Sequence, residues 1–528
     1  MNKNSKNLSV FRITSNTDSY IFTHLQLLLF LLVEFFNAKI RRSISYSSLA
    51  KINWKFILPL FFIISIPFAP DSGVQISSID SSTFNTSVVN QRQFGVSIFT
   101  PMNLLILPLF LIWIKNLGQS KLKFFIFEIL LLIFYLLCIL SGIFSINLSA
   151  NLVWLLKLTV GLIIYLIFST YKFNNNLTSI LTKSIFSIVM IEFLLVFGQF
   201  FANNFVGTFL ESESKVAIER IQYFVNNTSY FRSVGSFSHP NMLAVFCAMI
   251  MPYLMIYVIR ATKRRLLGYI IFGLSSWMIL LTLSRSGIIT AVISCALLIV
   301  LVNKFKLFPI NTLFKPIKLL TYVFVFITIF LLYNPFVYNR FINTSISERT
   351  LTTRLELNQV AFDIIRQSPF WGVGGGAFPI YLANYDTSPE EISQKNYYNI
   401  HNLYLTLLAE NGLFATVFFL LFVLMVIFCT FVKVEYLKKD DKILLITLLV
   451  MISAFFINGF FEPRSFSDRI AFFFWILLGL LVNRLRQNKL LPVTKLPQPS
   501  HSFFLFLISS SSLISPLRNL FRKRFFSN

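Results

Sequence analysis

Three side chains in this sequence are of types that do chemistry at a membrane surface. His401, in Ile400-His401-Asn402-Leu403, stands at the mouth of an apolar run, where an imidazole can exchange a proton near neutral pH. Arg285, in Thr282-Leu283-Ser284-Arg285-Ser286-Gly287, and Arg354, in Thr352-Thr353-Arg354-Leu355-Glu356, are fixed cations beside apolar segments. A guanidinium so placed can grip a phosphate oxyanion through paired N–H donors. Each also has a plain reading: a solvated interfacial histidine, a snorkelling arginine, a surface arginine on an amphipathic helix.

The surroundings of these residues suggest how they are held. Thr353 and Glu356 have the spacing of a capping box, opening a helix with Leu355, Val360, Ile364 and Ile365 that Pro369 stops. Arg354 then falls in the first turn, where exposed N–H groups and the positive dipole end also favour an anion. Next comes Pro369-Phe370-Trp371-Gly372-Val373-Gly374-Gly375-Gly376-Ala377-Phe378. Its glycines, Gly374 and Gly375 among them, suit either an anion-binding nest or a tight turn. No strand precedes them, so this is not a nucleotide fingerprint.

A second tier of residues is less distinctive. Glu410 lies nine positions after His401, about 180° around a straight helix, and is assigned to packing or an indirect role. Arg232 and Asn241, in Phe231-Arg232-Ser233-Val234-Gly235-Ser236-Phe237-Ser238-His239-Pro240-Asn241, precede or open another apolar run. Glu462, Arg464, Asp468 and Arg469 cluster between two more, and plain ion pairs would account for them.

The elements that must position these groups are set by composition. Of 528 residues, 56% are hydrophobic, 63 are Phe and 13% are charged, and the mean hydropathy is +0.72. That excludes a soluble domain of this length. Apolar runs of the roughly 17 to 25 residues that span a bilayer occur near 52–69, 94–114, 122–144, 148–170, 180–201, 239–259, 266–283, 286–303, 319–336, 403–432, 443–461 and 470–485. The expected fold is an all-α polytopic membrane protein with about 12 transmembrane helices. A shorter stretch at 21–36, holding His24 and Glu34, reads as an interfacial helix. If it is numbered with the others, a long, partly helical extracytoplasmic loop, 337–402, falls between spans 10 and 11.

The excess of basic residues, +25 overall, is assigned to topology and not to nucleic acid. Lys and Arg near 39–51, 115–123, 260–265, 304–318 and 484–524 alternate with mixed-charge loops at 70–93, 202–238, 337–402 and 462–469. The basic set is expected in the cytoplasm with both termini, and anionic membrane lipid is a secondary partner. The resulting division is a cytoplasmic extension at 1–51, spans at 52–336, an extracytoplasmic catalytic loop at 337–402, spans at 403–485 and a basic cytoplasmic tail at 486–528. Cys138, Cys247, Cys295 and Cys429 lie in apolar stretches without paired spacing, and no H-E-x-x-H or Walker loop is present. Neither a metal nor another cofactor is expected.

Taken together, Ser284-Arg285-Ser286-Gly287, Arg354 with the following glycine loop, and His401-Asn402 with Glu410 and Gly412 resemble the O-antigen ligase and O-antigen polymerase family of bacterial membrane glycosyltransferases. The resemblance covers 282–425. One departure is Ala415-Thr416, which follow Gly412 where the pattern has a second small residue such as Gly. It implies a metal-independent enzyme of the bacterial inner membrane, active on its extracytoplasmic side. The donor it implies is a glycan on a polyprenyl diphosphate such as undecaprenyl diphosphate, and the acceptor is a lipid, glycan or protein. Within it, Arg285 and Arg354 would hold the diphosphate and His401 would take the acceptor's proton. Arg232, Asn241, Gly374, Gly375, Asn402, Glu410 and Arg464 would contact substrate. Rival classes are a secondary transporter, for example of inorganic carbon, and a lipid-linked glycan flippase. A transporter should place ionisable groups near mid-membrane, where only Glu128, Lys157 and Glu192 stand.

Overall fold

The computed structural model describes residues 54–68, 106–111, 113, 126–171, 173, 177–208, 210–211, 222–225, 228–261, 264–309, 344–385, 399–462 and 469–488. The chain divides into Met1–Ile57, described only from residue 54, and Leu58–Asn528. Helices account for most of the described residues: α1 Trp54–Ser65, which begins before the division, then α2 Ile126–Ile143, α3 Leu148–Thr170, α4 Leu177–Ala202, α5 Pro240–Arg260, α6 Arg265–Leu281 and α7 Arg285–Lys304. After these come α8 Thr344–Gln367, α9 Phe378–Tyr385, α10 Leu403–Lys433, α11 Lys439–Asn458 and α12 Arg469–Gln487. The only strands among the described residues, β1 Gln222–Val225 and β2 Thr228–Phe231, form a short antiparallel hairpin in the connection before α5.

Six of these helices, α3, α4, α5, α7, α10 and α12, are long and apolar enough to cross a membrane, and Phe56–Ser65, Phe127–Ile143 and Arg265–Leu281 are shorter apolar helices. The chain is thus a helical, multi-pass membrane protein. The span expected at 319–336 and most of that at 94–114 lie outside the described residues. So do the expected interfacial helix at 21–36, the N-terminal extension and nearly all of the tail.

Polar caps start the helices that matter here. His239 caps α5 ahead of Pro240, Ser284 caps α7 and Asn402 caps α10. Each cap satisfies N–H groups that a helix start leaves unpaired, and each fixes a neighbouring candidate site residue at a helix mouth. Helices α5 and α12 are buried on almost every side, in keeping with sequences apolar all round. Where α7 crosses α5, a Cβ on Gly287 would run into Ala244. Close backbone approach at small residues is what associates helices in lipid, where apolar burial gives no net drive.

Two expectations about the loop 337–402 are corrected. Helix α8 begins at Thr344, ten residues before Arg354, so the Thr353–Glu356 capping box is not a helix start and Arg354 has no dipole beside it. No glycine or proline interrupts 344–367, and the helix simply propagates upstream through the box. Its apolar face is also shifted: Leu357, Val360, Ala361 and Ile364 are buried against Phe378, Tyr381 and Ile400, whereas Leu355 is exposed.

Candidate functional site

The glycine loop after α8 and the break in α10 form one device. Gly412 has φ of 76° and interrupts the helix, which frees carbonyls upstream and an N–H downstream. The N–H of Val373 donates to Ala409 O at 3.0 Å, that of Gly374 to Glu410 O at 2.8 Å, and Leu413 N donates to Pro369 O at 2.9 Å. Broken backbone at this depth needs such partners. Thr416, the departure noted in the sequence, donates its hydroxyl to Gly412 O at 2.8 Å.

The loop's polar groups are therefore spent on the fold. Gly375 N donates to Asn151 Oδ1 at 2.8 Å. Glu410, expected to contact substrate, is buried, and its carboxylate accepts from the N–H groups of Gly376 and Phe378. The structure thus places Gly374, Gly375 and Glu410 in the joint between loop and broken helix. Asn402, likewise, spends its side-chain oxygen as the cap, accepting from Tyr404 N and Leu405 N.

Glu462 is the point of convergence, although from sequence alone a plain ion pair accounted for it. It follows α11, is 4% exposed, and its Oε1 accepts from Asn241 Nδ2 at 2.8 Å, Arg354 Nη2 at 3.1 Å and Ser286 Oγ at 3.2 Å. Its Oε2 lies 3.6 Å from His401 Nδ1, adjacent but too far for a hydrogen bond. Four separate segments, α5, α7, α8 and the α10 mouth, thus meet on one carboxylate. Arg354 and His401 keep 29% and 25% of their side chains exposed, so the network has a buried floor and an accessible rim.

Positioning contacts surround that floor. The α10 mouth is tied to the end of α11 by Leu403 N donating to Gly459 O at 2.7 Å, which sets His401 beside Glu462. Asn458 donates to Thr290 Oγ1 at 3.2 Å, fixing α11 against α7. Arg232 is buried and donates from Nε to Thr282 O at 2.9 Å and from Nη2 to Asn241 Oδ1 at 3.1 Å. It joins the loop before α5 to the α6–α7 turn, with Asn241 relaying between Arg232 and Glu462. That turn includes Leu283, buried at φ of 52°, a left-handed conformation costly for a leucine. The turn presents Arg285, exposed, one residue before Ser286.

The loop carrying Arg232 is itself locked from α4. Glu192, wholly buried, accepts from the N–H of Ser236 at 2.9 Å and from its hydroxyl, and Gln199 accepts from Val234 N and Gly235 N. Arg469 donates to Ser236 O at 2.9 Å and Pro67 O at 2.6 Å. Arg464 lies outside the described residues.

These features define a class: a multi-pass helical membrane protein with an ionic network at one common end of its helices. Within it, residues 270–420 match the family described as O-Antigen ligase. The match takes in Arg285, Arg354, His401 and Glu410; Glu462, Arg232 and Asn241 lie outside it. No curated protein matches the chain.

Proposed function

We propose that the network around Glu462 is the active site of a glycosyltransferase of the ligase or polymerase type, moving a glycan from a polyprenyl diphosphate to an acceptor hydroxyl without a metal. The observation that carries this reading is that Arg354 and His401, far apart in sequence, reach the same buried carboxylate beside Ser286 and the Arg285 turn. Arg354 Nε is buried without a hydrogen-bond partner, a costly state for a guanidinium N–H that a diphosphate oxygen would relieve. Arg285 is the second cation. Together they offset charge on the departing diphosphate, as a metal does elsewhere.

His401 acts as base. Its Nδ1 faces Glu462, which leaves Nε2 on the opposite side of the ring for the acceptor. The acceptor O–H gives its proton to Nε2, its oxygen bonds to the anomeric carbon, and the sugar–phosphate bond breaks with its electron pair passing to the diphosphate. Glu462 orients the imidazole and Arg354 at once.

Charge supports an extracytoplasmic site in the bacterial inner membrane. Arg260, Arg264, Arg265, Lys304, Lys433, Arg484 and Arg486 all sit at the helix ends opposite the network, the cytoplasmic end by the positive-inside rule. Surface polysaccharide from a deletion strain tests the reading. Single-repeat chains identify a polymerase and unattached full-length polymer a ligase, whereas unchanged glycans refute both.

A further inference from the structure

A second site lies at the basic end, far from Glu462. Helix α5 starts at the network with Asn241, and Tyr257, sixteen residues on, is about 24 Å away along the axis. There a cleft of about 340 Å³ opens between α1, α4, α5 and α6. Its walls are Leu60, Phe186, Leu267 and the Tyr257 ring, with Phe186 and Tyr257 packed edge to face at 4.9 Å. Its cations are Lys183 from α4 and Arg264 from the start of α6, both exposed.

We propose that this cleft holds an anionic phospholipid by its phosphate, with an acyl chain against the apolar wall. Charge and polarity are arranged for that occupant: two cations on different helices flank one cleft. Below Arg264 and Arg265 the outer face of α6 continues as an apolar strip, with Leu266, Leu267 and Ile270 exposed by 72%, 41% and 48%. A soluble anion would use the cations and leave the hydrophobic wall unmatched, whereas a headgroup with its chain uses both.

The test is lipid binding by the purified full-length protein, read by native mass spectrometry and thermal unfolding with phosphatidylglycerol, phosphatidylcholine or inorganic phosphate. Phosphatidylglycerol should bind and raise the unfolding midpoint, and phosphatidylcholine should not. Each cation removed should weaken binding about fivefold, so Lys183→Gln with Arg264→Gln should cost about 25-fold. Ser187→Trp, which fills the cleft without touching either charge, should also abolish the shift. Arg366→Gln, an exposed charge on α8, should leave it unchanged. Equal binding of both lipids, or retention by the double variant, overturns the proposal. Reproduction of the shift by inorganic phosphate assigns the site to a soluble anion and overturns the lipid. Because no readout is turnover, these outcomes are independent of the reaction proposed above.

Discussion

Arg354 shows why side-chain shape matters as much as charge in this network. One of its Nη atoms is committed to Glu462 while Nε is unpaired and buried, so the guanidinium fork can hold protein and ligand simultaneously. A lysine cannot divide its donors in that planar way. Arg354→Lys is therefore expected to lose about 10²-fold or more in glycan transfer, close to Arg354→Ala; wild-type turnover in the lysine variant would mean simple charge attraction. His401→Ala should lose about 10²–10⁴-fold, the range for a positioned base, in a stably inserted protein. Glu462→Gln leaves Arg354 and His401 without their shared anion; it should lower turnover while leaving the amount of inserted protein near normal. If all three variants transfer glycan at the wild-type rate in the same assay, the network has no part in the reaction.

At the level of elements, Gly412 is where backbone conformation and site geometry meet. Its positive φ disfavours any side chain, and a Cβ there would strike the Phe370 carbonyl. Gly412→Ala should destabilise the joint by about 1–3 kcal/mol, read as a lowered unfolding midpoint with activity falling in parallel; an unchanged midpoint would show that the break is not strained. Such joints mark the limit of what the sequence discloses. Arg285 and His401 are legible because each stands at the edge of an apolar run, where a local rule for polar groups at a membrane surface finds it, whereas the caps Ser284 and Asn402 emerge only with the observed helix starts. Glu462 is not, because its meaning comes from Asn241, Ser286, Arg354 and His401 on other elements. The capping box misleads because local spacing specifies a helix start only where upstream residues decline to be helical, and 344–352 do not. The glycines point correctly to close approach, but what approaches is the protein itself: the α10 backbone at Gly372 and Gly374, Ser145 at Gly374 and the Trp154 ring at Gly375.

For the whole molecule, the ionisable groups inside helices bear on the transporter alternative. Glu192 holds Ser236 and Glu128 pairs with Arg486, so both have partners within the fold, and neither needs a transported solute to explain it. Sidedness is then the decisive global property, since a polyprenyl-linked donor on the outer leaflet requires the network to face outward. The two ends can be addressed separately through Arg366 on α8, 81% exposed and beyond the network, and Asp440 at the start of α11, also 81% exposed and paired with Arg260 at the basic end. Native Cys138 and Cys247 are buried and Cys295 and Cys429 partly so, and wild type supplies their background. Arg366→Cys should be labelled by a membrane-impermeant maleimide in intact spheroplasts, and Asp440→Cys only in inverted vesicles or after permeabilisation. The reverse pattern would put Glu462, Arg354 and His401 in the cytoplasm, where the positive-inside assignment and the proposed donor would both fail together.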